Sequence, residues 1–426
     1  MIYETDGDTT MKYNWKRNIT LFITGQTISL LGSLFVQYAI MWYITLETQS
    51  GLMMAISILC GFIPALLLAP FAGVWADRYD RKKLIIAADS TIAILTLLTA
   101  FVFLAGYKEI WVLFIVSIFR SLGSAVHSPS VGAVFPQIVP ADKLMKVQGI
   151  GNGIQSAMMI VAPIIGASLL TFTSLEVIFS IDFFTALLAV SSLVFLVKIP
   201  KKASTQPVGK IDYLEDMKLG LKYIRQHHFL IPFFIFSAFV LFFIAPVAFL
   251  TPLQVVRSFG DDVWRLSAIE ITFSAGMTAG GLLIGFWGGF KNRIIMMVYS
   301  LFAMSLVMIG LGIVNVFWVY LALMVVIGLM LPFYNTPAIV MIQEKVEPEY
   351  MGRVLSVLGM ISGSAMPLGM LIFGPIADFI DIGWLLIGSG LVLIVVGFVV
   401  LADKHLVASG LAPVKQTPLE ENVVQS

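Results

Sequence analysis

The sequence predicts an all-α polytopic membrane protein, with twelve transmembrane helices in two six-helix pseudo-repeat halves. Three observations carry that expectation. Long apolar runs recur along the chain, basic residues gather in alternate turns, and short motifs return about two hundred positions later. Of 426 residues, 59% are hydrophobic and 12% are charged, where a soluble protein carries about 25% charged residues. A membrane barrel would instead show roughly 10-residue segments of alternating polarity.

A spanning helix needs about 20 predominantly apolar residues. Taken in order, the runs that meet this are 19–45, 51–76, 84–106, 110–134, 144–171, 175–198, 229–256, 265–289, 293–314, 316–342, 352–379 and 382–403. Residues 1–18 form a polar N-terminal tail with no small-residue cleavage signature, so no signal peptide is expected and the first span acts as the insertion signal. The first half is 19–198, the linker 199–228, the second half 229–403 and the C-terminal tail 404–426. Within the linker, Ile211, Leu214, Met217, Leu221 and Ile224 recur at helical spacing, which predicts a surface amphipathic helix.

Orientation follows from Lys and Arg. With a cytoplasmic N-terminus, 22 of the 26 basic residues fall in cytoplasmic segments. Both termini are therefore expected in the cytoplasm, and the chain in a cell membrane. The repeat is read from its prolines. Pro129 and Pro140 are echoed by Pro337 and Pro348 at an offset of 208, and Pro163 by Pro367 at 204. Parallel six-span halves are a known transporter design.

The densest charge lies between spans 2 and 3, where Asp77 to Lys83 hold six charges in seven residues. Such a stretch belongs at a membrane face. A carboxylate such as Asp77 gains by bonding free N–H groups at the N-terminus of a neighbouring helix. Arg78 and Arg81 suit acidic groups or lipid phosphates, and Arg81, Lys82 and Lys83 also read as plain positive-inside anchors.

Inside the spans, ionisable residues are expensive and so informative. Arg120 lies midway along span 4, where a charge costs about 2.5–3.5 kcal/mol on insertion scales. It must face a polar cavity or a partner, in proton movement or substrate contact or in a structural ion pair. Asp182 in span 6 and Glu270 in span 8 are the first proton-coupling candidates, with cation selection as another role. Asp89 in span 3 is a further acid, and His127 lies two turns from Arg120 on the same face, placed to relay protons. Glu344 and Asp378 stand at span ends and are expected to be solvated. Gln26 and Gln37 in span 1, with Met41 and Met158, are cavity candidates, because Met suits a broad, adaptable pocket. Gly276, Gly280 and Gly281 form a small-residue pattern that permits close helix crossing.

Residues 73–83 resemble the loop signature G-x-L-A-D-R-x-G-R-K-x of the major facilitator superfamily. Gly73, Ala76, Asp77, Arg78, Arg81 and Lys82 match, while Trp75 replaces Leu and Asp80 replaces the second Gly. Arg120 to Gly123 resembles the fourth-helix signature of drug–proton antiporters. Ala162-Pro163-Ile164-Ile165-Gly166 resembles their fifth-helix signature, with Pro163 and Gly166 at its kink. Several stretches are similar to Gram-positive macrolide-efflux proteins, namely Asp77 to Lys83, Phe119 to Gly123 and Gly352-Arg353-Val354. The resemblance implies the major facilitator fold, a cytoplasmic latch of Gly73, Asp77, Arg78 and Arg81 against span 11, and drug export by proton antiport and alternating access. Span 1 holds no acid, where several related antiporters carry one.

No catalytic constellation is present in the sequence. There is no G-x-x-x-x-G-K-[ST] phosphate loop and no nucleophile elbow. Cys60 is the single cysteine, and no metal-ligand spacing occurs. No enzyme activity, cofactor, metal or nucleic-acid partner is expected. The proton gradient is the energy source, the partners are a small amphipathic substrate and the lipid bilayer, and a monomer is expected. Two alternatives stand beside drug export: the same fold exporting a siderophore, lipid-like or other metabolite, and a non-transporting membrane partner of a pump.

Overall fold

The computed structural model describes residues 14–199, 222–227 and 229–411, apart from the side chains of residues 77, 141, 159, 348 and 349. Among these residues, twelve helices are long and apolar enough to cross a membrane. Spans 1 to 6 are Trp15–Thr48, Gly51–Ala76, Arg81–Leu104, Ile110–Ile138, Leu144–Phe172 and Leu175–Phe195. Spans 7 to 12 are Leu230–Phe259, Val263–Trp287, Arg293–Ile313, Phe317–Lys345, Tyr350–Ile376 and Ile382–Ala402. All twelve expected spans are present, with ends displaced by a few residues. Most of the expected amphipathic linker helix lies outside the described residues.

Polar caps stop the helices where the apolar runs stop. Ser50 begins span 2, its hydroxyl accepting from Met53 N. Asp80 begins span 3 by accepting from the N–H groups of Lys82 and Lys83, and Asn292 begins span 9 by accepting from Ile295 N. Each satisfies donors that the first helical turn leaves free. Between spans 1 and 2 the chain reverses at Gln49, in the left-handed region at φ 46°.

The helix neighbours repeat. Span 3 packs on spans 4 and 6, and span 9 packs on spans 10 and 12. Span 2 lies along span 4, and span 8 crosses span 10 so closely that a Cβ at Gly276 would stand 2.1 Å from the Val325 carbonyl oxygen. Gly280 likewise faces the Leu329 carbonyl oxygen at 2.2 Å, whereas Gly281 faces open space. The small-residue pattern is thus a packing device carried by two of its three glycines.

The chain forms two compact units. The first holds residues 1–208, together with 249–271 and 370–379; the second holds 209–248, 272–369 and 380–426. Two stretches from beyond the linker therefore belong to the first unit. Its core gathers Phe35, Val36, Ile40, Ile44, Phe103 and Phe179, and edge-to-face rings such as Phe103 on Phe179 fix its packing.

Candidate functional site

Among the described residues of the first unit, three polar groups bear on function. The deepest is at Arg120. Its Nη1 donates to Asp182 Oδ2 at 2.5 Å and to Thr96 Oγ1 at 2.7 Å, and its Nη2 donates to the Ser33 carbonyl at 3.2 Å. Spans 1, 3, 4 and 6 thus converge on one guanidinium. The side chain of Asp182 is 1% exposed and that of Arg120 11%. A buried charge persists only when paired and hydrogen-bonded, and this pair meets both conditions. Two turns along span 4, His127 Nε2 stands 3.2 Å from Asp89 Oδ1. The two lack the alignment of a hydrogen bond, so His127 Nε2 is left buried without a hydrogen-bond partner, and the other carboxylate oxygen, Asp89 Oδ2, is also buried without one. Span 4 therefore carries two contacts to carboxylates, one hydrogen-bonded at Arg120 and one not, at His127.

The second group is the charged turn. Arg81 Nε donates to the Ala76 carbonyl at 3.0 Å and its Nη1 to the Ala133 carbonyl at 2.7 Å. Lys82 Nζ reaches the carbonyls of Val194 and Val197. These cations sit on carbonyls at helix C-terminal ends, where the helix dipole favours them. Arg78 is exposed, and a Cβ at Gly73 would meet open space. The side chain of Asp77 is outside the described residues, so the expected latch partner is not among these contacts.

The third group lies at the other end of span 2. The Asp378 carboxylate accepts from Gly51 N at 2.6 Å, Leu52 N at 3.0 Å, Ser50 Oγ at 2.8 Å and Arg257 Nη2 at 3.1 Å. Arg257 also donates to the carbonyls of Ala377 and Gln49. Gly51 and Gly374 let the backbones meet: a Cβ at Gly51 would lie 2.2 Å from the Gly374 carbonyl oxygen. Burial pushes the Asp378 carboxyl up, but the bonds from Leu52, Ser50, Gly51 and Arg257 outweigh it and hold the group below its ordinary range. The sequence reading of Asp378 as a solvated span end is corrected here. Its partners come from segments more than a hundred residues away, so no local pattern announces them. One signal was available: an acid at a helix C-terminal end opposes the dipole and needs a compensating donor. Glu344, also expected to be solvated, pairs with Arg293 at 3.1 Å in the second unit.

Glu270 is half-buried in span 8, within electrostatic reach of Tyr38 on span 1. Tyr38 in turn packs on Trp42, with ring centroids 5.2 Å apart. Pro163 and Gly166 are buried, and the Pro163 carbonyl accepts from Ser267 Oγ at 2.8 Å. Of the expected cavity residues, Gln26, Met41 and Met158 are half-buried and Gln37 is exposed. None of the four lines the cavity found in the second unit. That cavity, about 430 Å³, lies within the second unit and is lined by Ser237, Met304, Met324, Tyr334, Asn335 and Met366 among others. Sequence reasoning missed these residues because Met and Tyr in a greasy chain carry no positional signal.

Twelve spans with repeated helix neighbours and charges buried as pairs define a membrane carrier built from two related halves. Residues 19–370 match the profile of the Major Facilitator Superfamily, and the chain belongs to that family of transporters. It is 35% identical to Macrolide efflux protein A of Streptococcus pyogenes over 90% of this chain and 95% of that protein. It is also 25% identical to the Staphyloferrin A transporter of Staphylococcus aureus, over 85% of this chain and 90% of that one. Among solved structures, the nucleoside transporter NupG superposes with a TM-score of 0.66 at 15% identity, covering 91% of this chain and 98% of NupG. That likeness speaks to the fold alone.

Proposed function

We propose that the chain exports amphipathic compounds, macrolides foremost, from the cytoplasm in exchange for protons. The observation that carries this reading is the 35% identity to Macrolide efflux protein A, spread over 90% of the chain. The 22 basic residues gathered on one side support a cytoplasmic N- and C-terminus, which puts the Asp77 turn inside and the Asp378 clasp outside. In the proposed cycle the clasp holds the outer ends of spans 1, 2, 7 and 11 together, and it opens when the outer face admits protons and releases cargo. Asp77 performs the matching task at the inner face, as the resemblance implies. Glu270 carries the exchanged proton, because it is an intramembrane carboxylate that, among the described residues, has no ion-pair partner like the one Asp182 has in Arg120. No cofactor takes part, and a single copy of the chain suffices.

The 25% likeness to the Staphyloferrin A transporter supports a second reading, export of a siderophore by the same machinery. Uptake of a radiolabelled macrolide into inside-out vesicles tests the first reading. Accumulation that follows an acid-inside gradient supports it, and accumulation that ignores the gradient contradicts it. A panel with an iron-chelating siderophore as competitor separates the two cargoes.

A further inference from the structure

We propose that Asp89 and His127 together form a proton-binding site in the seam between spans 3 and 4, through which the exchanged proton leaves for the inner face. The direction of travel rests on the export reading above; the proton site itself does not need it. Spans 3 and 4 pack antiparallel and in register. Thr96 stands opposite Arg120, Asp89 opposite His127 and Arg81 opposite Ala133. Seven residues separate Thr96 from Asp89, and seven separate Arg120 from His127. Both contacts therefore fall on one seam, two turns apart. Between them Gly123 lets the helices close, since a Cβ there would stand 2.6 Å from the Ile92 side chain. Asp89 lies about 12 Å along the helix from the first residue of span 3, and His127 about 16 Å from the last residue of span 4. The pair thus sits within the membrane, between Arg120 and the inner face.

The chemistry of the contact calls for a proton. The Asp89 side chain is 7% exposed and that of His127 23%, and Nε2 stands 3.2 Å from Oδ1 with no hydrogen bond between them. An ionised carboxylate only accepts, and a bare imidazole nitrogen also accepts. A proton taken up by the pair turns Nε2 into a charged donor beside the carboxylate, or the carboxyl into a donor toward Nε2. Either way the two become hydrogen-bond partners after a side-chain rotation, and the pair passes from a net negative charge to neutral. That removes an unpaired charge from a low-dielectric setting. The proton belongs to the pair rather than to either residue. The neighbouring helices bring no competing partner. Asp182 on span 6 is held by Arg120, and Glu176 by Lys108. Span 2 carries no acid or base from Gly51 to Ala76, only Cys60, five residues outward of the Ala65 N–H that bonds Ser121 Oγ. Between Arg17 and Glu47, span 1 offers only Tyr38 and Tyr43, packed on Trp42 and Phe103. Span 5 has no ionisable residue after Lys146. At the inner end of the seam, Arg81 donates to the carbonyls of Ala76 and Ala133.

The test counts protons. The purified full chain in lipid nanodiscs is acidified from about pH 9 to about pH 5, the range that brackets imidazole chemistry, and proton uptake is read with an indicator dye against empty nanodiscs. Asp89→Asn, although it leaves the histidine in place, should take up about one proton fewer than the wild type. His127→Gln and the double variant should lose that same single proton and no more. Exchanging the pair, Asp89→His with His127→Asp, should restore it. In inside-out vesicles both single variants should slow gradient-driven macrolide uptake about a hundredfold, the scale of a positioned proton-transfer group, and the exchanged pair should recover it. The melting temperature of each variant is recorded alongside. A full proton count in Asp89→Asn means that the residues titrate independently or serve only packing, and it overturns the site. Loss in the single variants that the exchange does not restore, at an unchanged melting temperature, also overturns it. Proton loss with uptake at the wild-type rate overturns the place of the pair on the proton's route. Wild-type vesicles that accumulate no macrolide refute the export reading, while the proton count still decides the site.

Discussion

Replacing Asp378 by Asn should loosen the face of the bundle at which it lies. The carboxylate serves four donors, two on each oxygen. An Asn side chain keeps one acceptor oxygen, so two donors lose their partner. Hydrogen bonds to a charged group contribute about 1.5–3 kcal/mol each. Here the Asp378 side chain is 24% exposed and that of Arg257 31%, so water replaces part of each bond and the ion pair itself adds only about 0–1 kcal/mol. A net bias of about 2 kcal/mol is a shift of about 30-fold in a two-state equilibrium. Spin labels at Tyr107→Cys and Phe379→Cys, both exposed in the wild type, report the separation in a Cys60→Ser background. The distance distribution should gain a longer population in Asp378→Asn. An unchanged distribution would refute the clasp.

The same carboxylate gives a pH signature. Its clasped form is held below the ordinary carboxylate range. A group whose pKa falls on clasping contributes fully above the free value, about 3.9, and loses that contribution as pH drops through the lower clasped value. The wild-type distances should therefore stay constant between about pH 5 and 8, which separates the clasp from proton coupling.

Further outcomes follow from the same geometry. Gly51→Ala places a Cβ against the Gly374 carbonyl, and it should lengthen the Tyr107–Phe379 distance as Asp378→Asn does; no change would mean the backbones move apart freely. Arg120→Leu strands a buried carboxylate and should cost about 3–5 kcal/mol in unfolding free energy, while Arg120→Leu with Asp182→Leu should recover most of it. Chemical unfolding of the single and double variants gives both numbers, and transport that returns along with stability would show the pair to be purely structural. Glu270→Gln should abolish the dependence of uptake on the gradient while macrolide binding persists; gradient dependence that survives would move the proton site elsewhere.

How much was legible in the sequence differs by element. The twelve spans were legible because each apolar run is long enough to cross a bilayer and is broken by caps such as Ser50, Asp80 and Asn292. Arg120 and Asp182 were each legible as anomalies, since a charge in hydrocarbon needs a reason. Their pairing was not, because 62 positions separate them and helix packing alone brings them together. Asp378 was misread for the same cause: Gly51 is 327 positions away, and burial is a property of the assembled helices. The cavity of the second unit was invisible because its wall is built of the residue types that fill every other helix contact.

The central claim is proton-driven export, and inside-out vesicles test it most directly. With an acidic lumen, vesicles containing the chain should accumulate a radiolabelled macrolide, lose the accumulation when a protonophore is added, and fail to accumulate it with Glu270→Gln. Accumulation of the same size with and without the gradient would contradict the claim.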